Sequence, residues 1–202
     1  MTALTVVPTG TANLASVLAA FRRLRVEPMV TRDISVVEKS DRVVLPGVGS
    51  FGAAMTELDR LDMRDVLRRR LDDGRPTLAI CVGMQLLATA SDESDGIEGL
   101  GHLFGRVTRF PQTVRVPQLG WNRVVAEAGC LFLRDGWAYF ANSYRIEEPP
   151  DGWSAAGSDH GGRFVAALER GDVLACQFHP ELSGSWGSDI LGSWLETTGR
   201  TA

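Results

Sequence analysis

Hydrophobic and polar positions follow two rhythms along this chain. In the first half, short apolar runs alternate with stretches whose apolar residues recur at helical spacing. Leu4–Val7 suits a buried strand, broken by Pro8-Thr9-Gly10. Asn13 can then cap a helix whose Leu14, Val17, Leu18, Phe21 and Leu24 share one face. Glu27–Val30 and Arg42–Leu45 read as the next strands. Helical patterns fill Ala53–Leu61 and Met63–Leu71, with Gly74 as a stop and Pro76 beyond it. Thr77–Ile80 is a further strand. This alternation predicts an α/β fold with a mostly parallel central sheet flanked by helices.

Past Gly96 the rhythm changes. Phe104–Phe110, Asn122–Ala126, Trp137–Phe140, Phe164–Leu168 and Val173–Phe178 look like strands parted by Gly, Pro and Asp turns. They predict an antiparallel β extension in the C-terminal half, or a second small layer. Ser188–Glu196 closes the chain as a helix with Ile190, Leu191, Trp194 and Leu195 on one face. No repeat or low-complexity linker interrupts the pattern, and 202 residues suit one domain spanning 1–202.

Composition narrows the function classes. A hydrophobic content of 44% with 23% charged residues is that of a soluble globular protein. The net charge of −4 and scattered arginines argue against nucleic-acid binding, and Arg68-Arg69-Arg70 reads as the solvated face of a helix. No apolar run approaches the ~20 residues that span a bilayer, and the N-terminus lacks a basic-then-apolar signal pattern. Cys81, Cys130 and Cys176 are odd in number and widely spaced. That suits a reducing cytoplasm, with no zinc site, dithiol or cofactor expected.

One stretch carries candidate chemistry. Thr77–Ala90 runs TLAICVGMQLLATA: an apolar strand ends at Cys81, small residues stand two places to either side, and a helical pattern begins at once. This is the outline of a nucleophile elbow, where a tight turn exposes the apical side chain. Unpaired N–H groups at a helix start favour an anion there. A packed core thiol closing an ordinary strand fits Cys81 alone equally well. Ligands in open α/β sheets bind outside the carboxyl ends of strands, where Cys81 falls.

A second piece lies far downstream, in Gln177-Phe178-His179-Pro180-Glu181. On an extended backbone, residues two apart point the same way, so His179 and Glu181 are expected to share a face. A carboxylate holding one ring N–H leaves the other nitrogen free as a base, the orienter–base–nucleophile logic of triads. Pro180, lacking an N–H, fits a strand end. A structural histidine at a strand terminus is the alternative. His102, after Gly-Leu-Gly, and His160, in a polar loop, are weaker candidates.

Together these pieces resemble the class I (triad-type) glutamine amidotransferases, and among them the glutaminase subunits of imidazole glycerol phosphate synthase. Five motifs carry the resemblance in order: Gly10-Thr11-Ala12-Asn13-Leu14, Leu45-Pro46-Gly47-Val48-Gly49-Ser50-Phe51-Gly52, Cys81-Val82-Gly83-Met84-Gln85-Leu86-Leu87, Leu119-Gly120-Trp121-Asn122, and Gln177–Glu181 with Ser183-Gly184. The resemblance implies that Cys81 attacks the side-chain amide of glutamine. It makes His179 the acid and then the base, and Glu181 its orienter. It implies an oxyanion hole from Val48, Gly49 and Val82. Gln85, Glu93, Ser143 and Tyr144 match substrate-binding positions; on residues alone, Glu93 passes as a solvated loop carboxylate.

The partner implied is a (β/α)₈-barrel cyclase forming a heterodimer, with Asn13, Trp121 and Tyr139 matching positions near the subunit contact or the ammonia entrance. The cyclase would use the ammonia to make imidazole glycerol phosphate and an aminoimidazole carboxamide ribotide in histidine biosynthesis. Alternatives are a glutaminase serving another synthase, such as that for pyridoxal phosphate or a sugar, and a non-catalytic interface subunit. Three positions depart from the family pattern: Ala79 for glycine, Asn142 for histidine, and Leu182 for a basic residue.

Overall fold

A computed structural model describes residues 4–10 and 13–198; Thr11 and Ala12 of the first motif lie outside them. The elements are β1 (Leu4–Val6), α1 (Leu14–Arg23), β2 (Met29–Val30), α2 (Ile34–Lys39), β3 (Arg42–Gly47), α3 (Phe51–Arg60) and α4 (Arg64–Asp72). After them come β4 (Thr77–Cys81), α5 (Val82–Gln85), β5 (Ala88–Ser91), β6 (Leu103–Arg109), β7 (Gln118–Ala126) and β8 (Gly136–Asn142). The chain ends with β9 (Tyr144–Arg145), β10 (Ser154–Asp159), β11 (Arg163–Arg170), β12 (Val173–Cys176), a 3₁₀ turn (Pro180–Leu182) and α6 (Gly184–Thr197).

Among the described residues, nine strands form one sheet in the order β2-β1-β3-β4-β12-β11-β10-β7-β8. The β2-to-β12 half is parallel and the rest antiparallel. The antiparallel segment is therefore a continuation of the parallel sheet. A second, three-stranded sheet, β5-β6-β9, stands beside it. Both expected arrangements occur together. Every residue of β3, β4 and β12 is buried, as strands covered on both faces must be, so they read as unbroken apolar runs. β7 alternates instead, and its outward positions carry Leu119, Trp121, Arg123 and Val125.

Several expectations shift. The second strand shortens to Met29–Val30, both exposed at the sheet edge. Helix α2 and strands β5, β9 and β10 carry too weak or too short an apolar period to be read in advance. Asn13 occupies the cap position of α1, but its side chain accepts no helix N–H and instead donates to Ser16 Oγ at 3.1 Å.

The arginine cluster is corrected at one residue. On α4 the buried stripe runs Val66, Leu67, Arg70, Leu71, so helical spacing turns Arg70 inward while Arg69 pairs with Glu38 on the surface. The Arg70 guanidinium donates to the carbonyls of Ser40, Asp41 and Pro76 at 2.7–2.8 Å, tying α4 to the start of β3 and β4. Burial pushes its pKa down to about 9, which leaves it charged at neutral pH.

Candidate active site

The site begins at the end of the central strand. β4 pairs with β3 on one side and β12 on the other, through Leu45↔Ala79 and Ala175↔Ala79, and reaches Gly47↔Cys81. The methyl of Ala79 is fully buried within this ladder. At Cys81 the backbone turns to φ 56°, ψ −111°, a conformation that costs a non-glycine residue ~1–3 kcal/mol and is found at functional turns. Two glycines make room for the turn. A Cβ on Gly83 would lie 1.9 Å from the Leu45 carbonyl oxygen, and one on Gly47 would lie 2.9 Å from Gly83 N. Neither backbone neighbour can move aside.

The helix after the elbow is one turn, α5, shorter than the apolar pattern suggests. The carbonyls of Leu86 and Leu87 accept N–H groups of Leu100 and Leu103 at 2.7 and 2.8 Å. They enter the second sheet instead of extending a helix.

His179 follows β12 by three residues, and the backbone there departs from expectation. It is extended at His179 only, and Pro180–Leu182 form a 3₁₀ turn with the proline at its start. The turn folds Glu181 back onto the ring, so the pair meets by curvature and not along a strand face. His179 Nδ1–H donates to Glu181 Oε1 at 2.8 Å, both side chains being buried. The ring also lies close enough to Cys81 for the sulfur to act on its charge. Burial acts to lower the His179 pKa, but its contacts with Cys81 and Glu181 outweigh burial and raise it to about 10. His179 N–H donates to Tyr139 O at 2.9 Å, Tyr139 N–H to Ser183 Oγ at 3.0 Å, and Ser183 Oγ–H to His179 O at 2.6 Å. The turn is thereby fastened to β8.

Cys81 and His179 open on one cavity of about 170 Å³, below the ~300–1,000 Å³ of pockets for drug-sized ligands. A space of that order suits an occupant of about amino-acid size. Val48, Gly49 and Val82 line it near the elbow, and Gln85, Glu93, Ser143 and Tyr144 line the rest. Glu181 stands behind His179, off the wall. Glu93 is not a solvated loop carboxylate: its Oε2 accepts Phe51 N–H at 2.7 Å, at the start of α3. Asn142 lies on the wall too and donates to Tyr144 O at 3.0 Å.

Gln177, which the sequence presents as part of a motif without a role, donates to Cys81 Sγ at 3.8 Å. Asn13, Trp121 and Tyr139 lie off the cavity wall. Trp121 and Tyr139 are cross-strand partners stacked edge-to-face at 6.2 Å. His102 and His160 also lie apart, held by Asp72 and Arg170 and by the Arg115 carbonyl respectively. Among the described residues, no cluster of three or more His, Cys, Asp or Glu is placed to hold a metal ion.

The arrangement offers a thiol against an imidazole oriented by a carboxylate, beside a small pocket with polar walls. Comparison with known proteins bears on that chemistry. The family pattern described as glutamine amidotransferase class-I matches residues 6–194. The imidazole glycerol phosphate synthase subunit HisH of Methanothermobacter thermautotrophicus is 40% identical over 93% of this chain and 94% of that protein. The HisH subunit of Escherichia coli K12 is 39% identical over 95% of this chain and 97% of its own. A solved glutamine amidotransferase structure superposes with a TM-score of 0.77 at 21% identity, covering 96% of this chain and 97% of that one. At that identity the superposition speaks for the fold alone.

Proposed function

The chain belongs to the class I glutamine amidotransferase family, and on that premise we propose that it is a glutaminase that supplies ammonia to the cyclase of imidazole glycerol phosphate synthase in histidine biosynthesis. The cyclase is read as a (β/α)₈ barrel that joins this chain in a heterodimer. The observation that carries the proposal is the convergence of Cys81 and His179 on one cavity of amino-acid size, with Glu181 bonded behind the ring.

In this reading the Cys81 thiolate attacks the side-chain amide carbon of glutamine. Charge develops on the amide oxygen, toward the N–H groups of the Val48–Gly49 segment and Val82. His179 protonates the departing nitrogen, ammonia leaves, and a glutamyl thioester remains. Water then attacks the thioester, giving its proton to His179, and glutamate departs as the thiolate re-forms. Gln85 and Glu93 are read as holding the substrate's polar groups, and Ser143 and Tyr144 as contacting its amino-acid end.

The partner face is read as the outward side of β7 and β8 with the turn beside it. Leu119, Trp121 and Trp137 there are 68%, 55% and 59% exposed, and Leu182 is 39% exposed. Exposed aromatics suit the centre of an interface, and Asn13 is exposed as a contact residue must be before assembly. With Leu182 where the family resemblance places a basic residue, this contact is read as apolar. An odd number of widely spaced cysteines supports a cytoplasmic setting.

The test is partner-dependent turnover. The purified chain alone should hydrolyse glutamine slowly, and addition of the cyclase with its ribonucleotide substrate should raise the rate. A rise only with a different synthase would overturn the assignment, and no rise with any synthase would favour a non-catalytic interface subunit.

A further inference from the structure

Cys81 has a hydrogen-bonding neighbour in Gln177. The Gln177 side chain is fully buried, and its Nε2 donates to Cys81 Sγ at 3.8 Å. Which end of that amide faces the sulfur is decided elsewhere. The Tyr144 carbonyl only accepts, so Gln85 turns its NH₂ toward it at 3.2 Å. The same NH₂ reaches Gln177 Oε1 at 2.9 Å. With its oxygen engaged, Gln177 can present only N–H to the sulfur. Its backbone is fixed too, donating to Ala166 O at 2.8 Å. Among the described residues no lysine or arginine lines the cavity, so besides His179 the donors they offer a thiolate are neutral N–H groups.

We propose that Gln177 is a positioning residue for the nucleophile: its amide, oriented by Tyr144 O through Gln85, aims the Cys81 sulfur into the cavity and favours its charged form. A hydrogen bond to the ionised form of a group favours that form. The relay also joins the segment read as gripping the substrate's amino-acid end to the atom that attacks. The inference rests on the reading of Cys81 as the nucleophile.

The experiment follows alkylation of Cys81 by iodoacetamide across pH in the full chain, with each cysteine resolved by peptide mass mapping. Burial raises Cys130 to about 11, so it serves as a slow internal reference. In Gln177→Met the pH midpoint for Cys81 should rise by about one unit, the scale of one hydrogen bond to a charged group. Gln177→Glu still accepts from Gln85 but sets an oxygen against the sulfur, and its midpoint should rise further. With the cyclase present, Gln177→Met should lower kcat for glutamine about tenfold and change KM less than about twofold, since Gln177 is off the cavity wall.

An unmoved midpoint in Gln177→Met, or a Gln177→Glu midpoint no higher than that of Gln177→Met, would overturn the proposal. Should the variants not fold, the wild-type chain decides: Gln177 is one of four glutamines, and its side-chain ¹⁵N amide signal should move with pH at the alkylation midpoint. A signal that stays put overturns it. Failure of the nucleophile reading looks different, as a partnered Cys81→Ala chain that still hydrolyses glutamine.

Discussion

In the proposed reaction His179 gives a proton in one half and takes one in the other. Burial pulls the ring down, but while the Cys81 sulfur is free its contact and that of Glu181 outweigh burial and hold the ring at about 10, so it is protonated at neutral pH, as the proposed release of ammonia requires. Once the sulfur is acylated, the Cys81 contribution is lost. Burial then opposes Glu181 alone, and the ring is better able to accept a proton from water. Glu181→Gln should therefore move the alkaline limb of the glutamine pH–rate profile to lower pH, because a ring with a lower pKa deprotonates sooner. An unmoved limb would remove Glu181 from this role. His179→Ala should cost about 10²–10⁴-fold in glutamine turnover, measured with the partner present. At this scale the candidate residues stood out in the sequence because rare chemistry falls in short motifs. Glu181 was found for a partly mistaken reason, since a 3₁₀ turn and not an extended strand brings it to the ring.

Among the elements, the elbow is held by the close approach of β3 to α5. Gly83→Ala would set a methyl 1.9 Å from a backbone oxygen. It should destabilise the fold by about 3 kcal/mol, read as a fall in the midpoint of denaturant unfolding. An unchanged midpoint would mean that the elbow has room to spare. A second junction joins α4 to β11: His102 Nδ1 meets Asp72 at 3.2 Å, Arg170 donates to Nε2 at 2.7 Å, and the Arg170 guanidinium lies 4.8 Å from the Trp153 ring centroid. Burial foremost, then Arg170, holds the His102 pKa below its ordinary value against the pull of Asp72. With the folded pKa below the unfolded one, this neutral imidazole supports the fold above pH ~6.5, and that support is lost as pH falls further. His102→Gln should flatten the decline of Tm as pH falls below about 6.5. The buried parallel strands were legible as apolar runs, whereas β5 and β9 were not, because contacts far along the chain define them. Arg70 was misread as surface because its charge outweighed its place in the helical period.

For the whole molecule, one sheet carries both the proposed chemistry and the proposed docking face. β4 and β12 bring up Cys81 and His179, while β7 and β8 turn their aromatic side outward. The His179–Tyr139 backbone bond links the two. Trp121→Asp combined with Trp137→Asp should weaken capture by the cyclase about tenfold or more and leave the melting of the isolated chain nearly unchanged, since both side chains are exposed. The partner itself left only a family resemblance in the sequence, because an exposed tryptophan and a core tryptophan read alike until the sheet's faces are known. The central claim is that this chain makes ammonia at Cys81 for use elsewhere, and its most direct measurement compares two nitrogen sources. Partnered Cys81→Ala should lose synthesis driven by glutamine and keep synthesis driven by added ammonium. Synthesis that survives on glutamine, or fails on both sources, would contradict it.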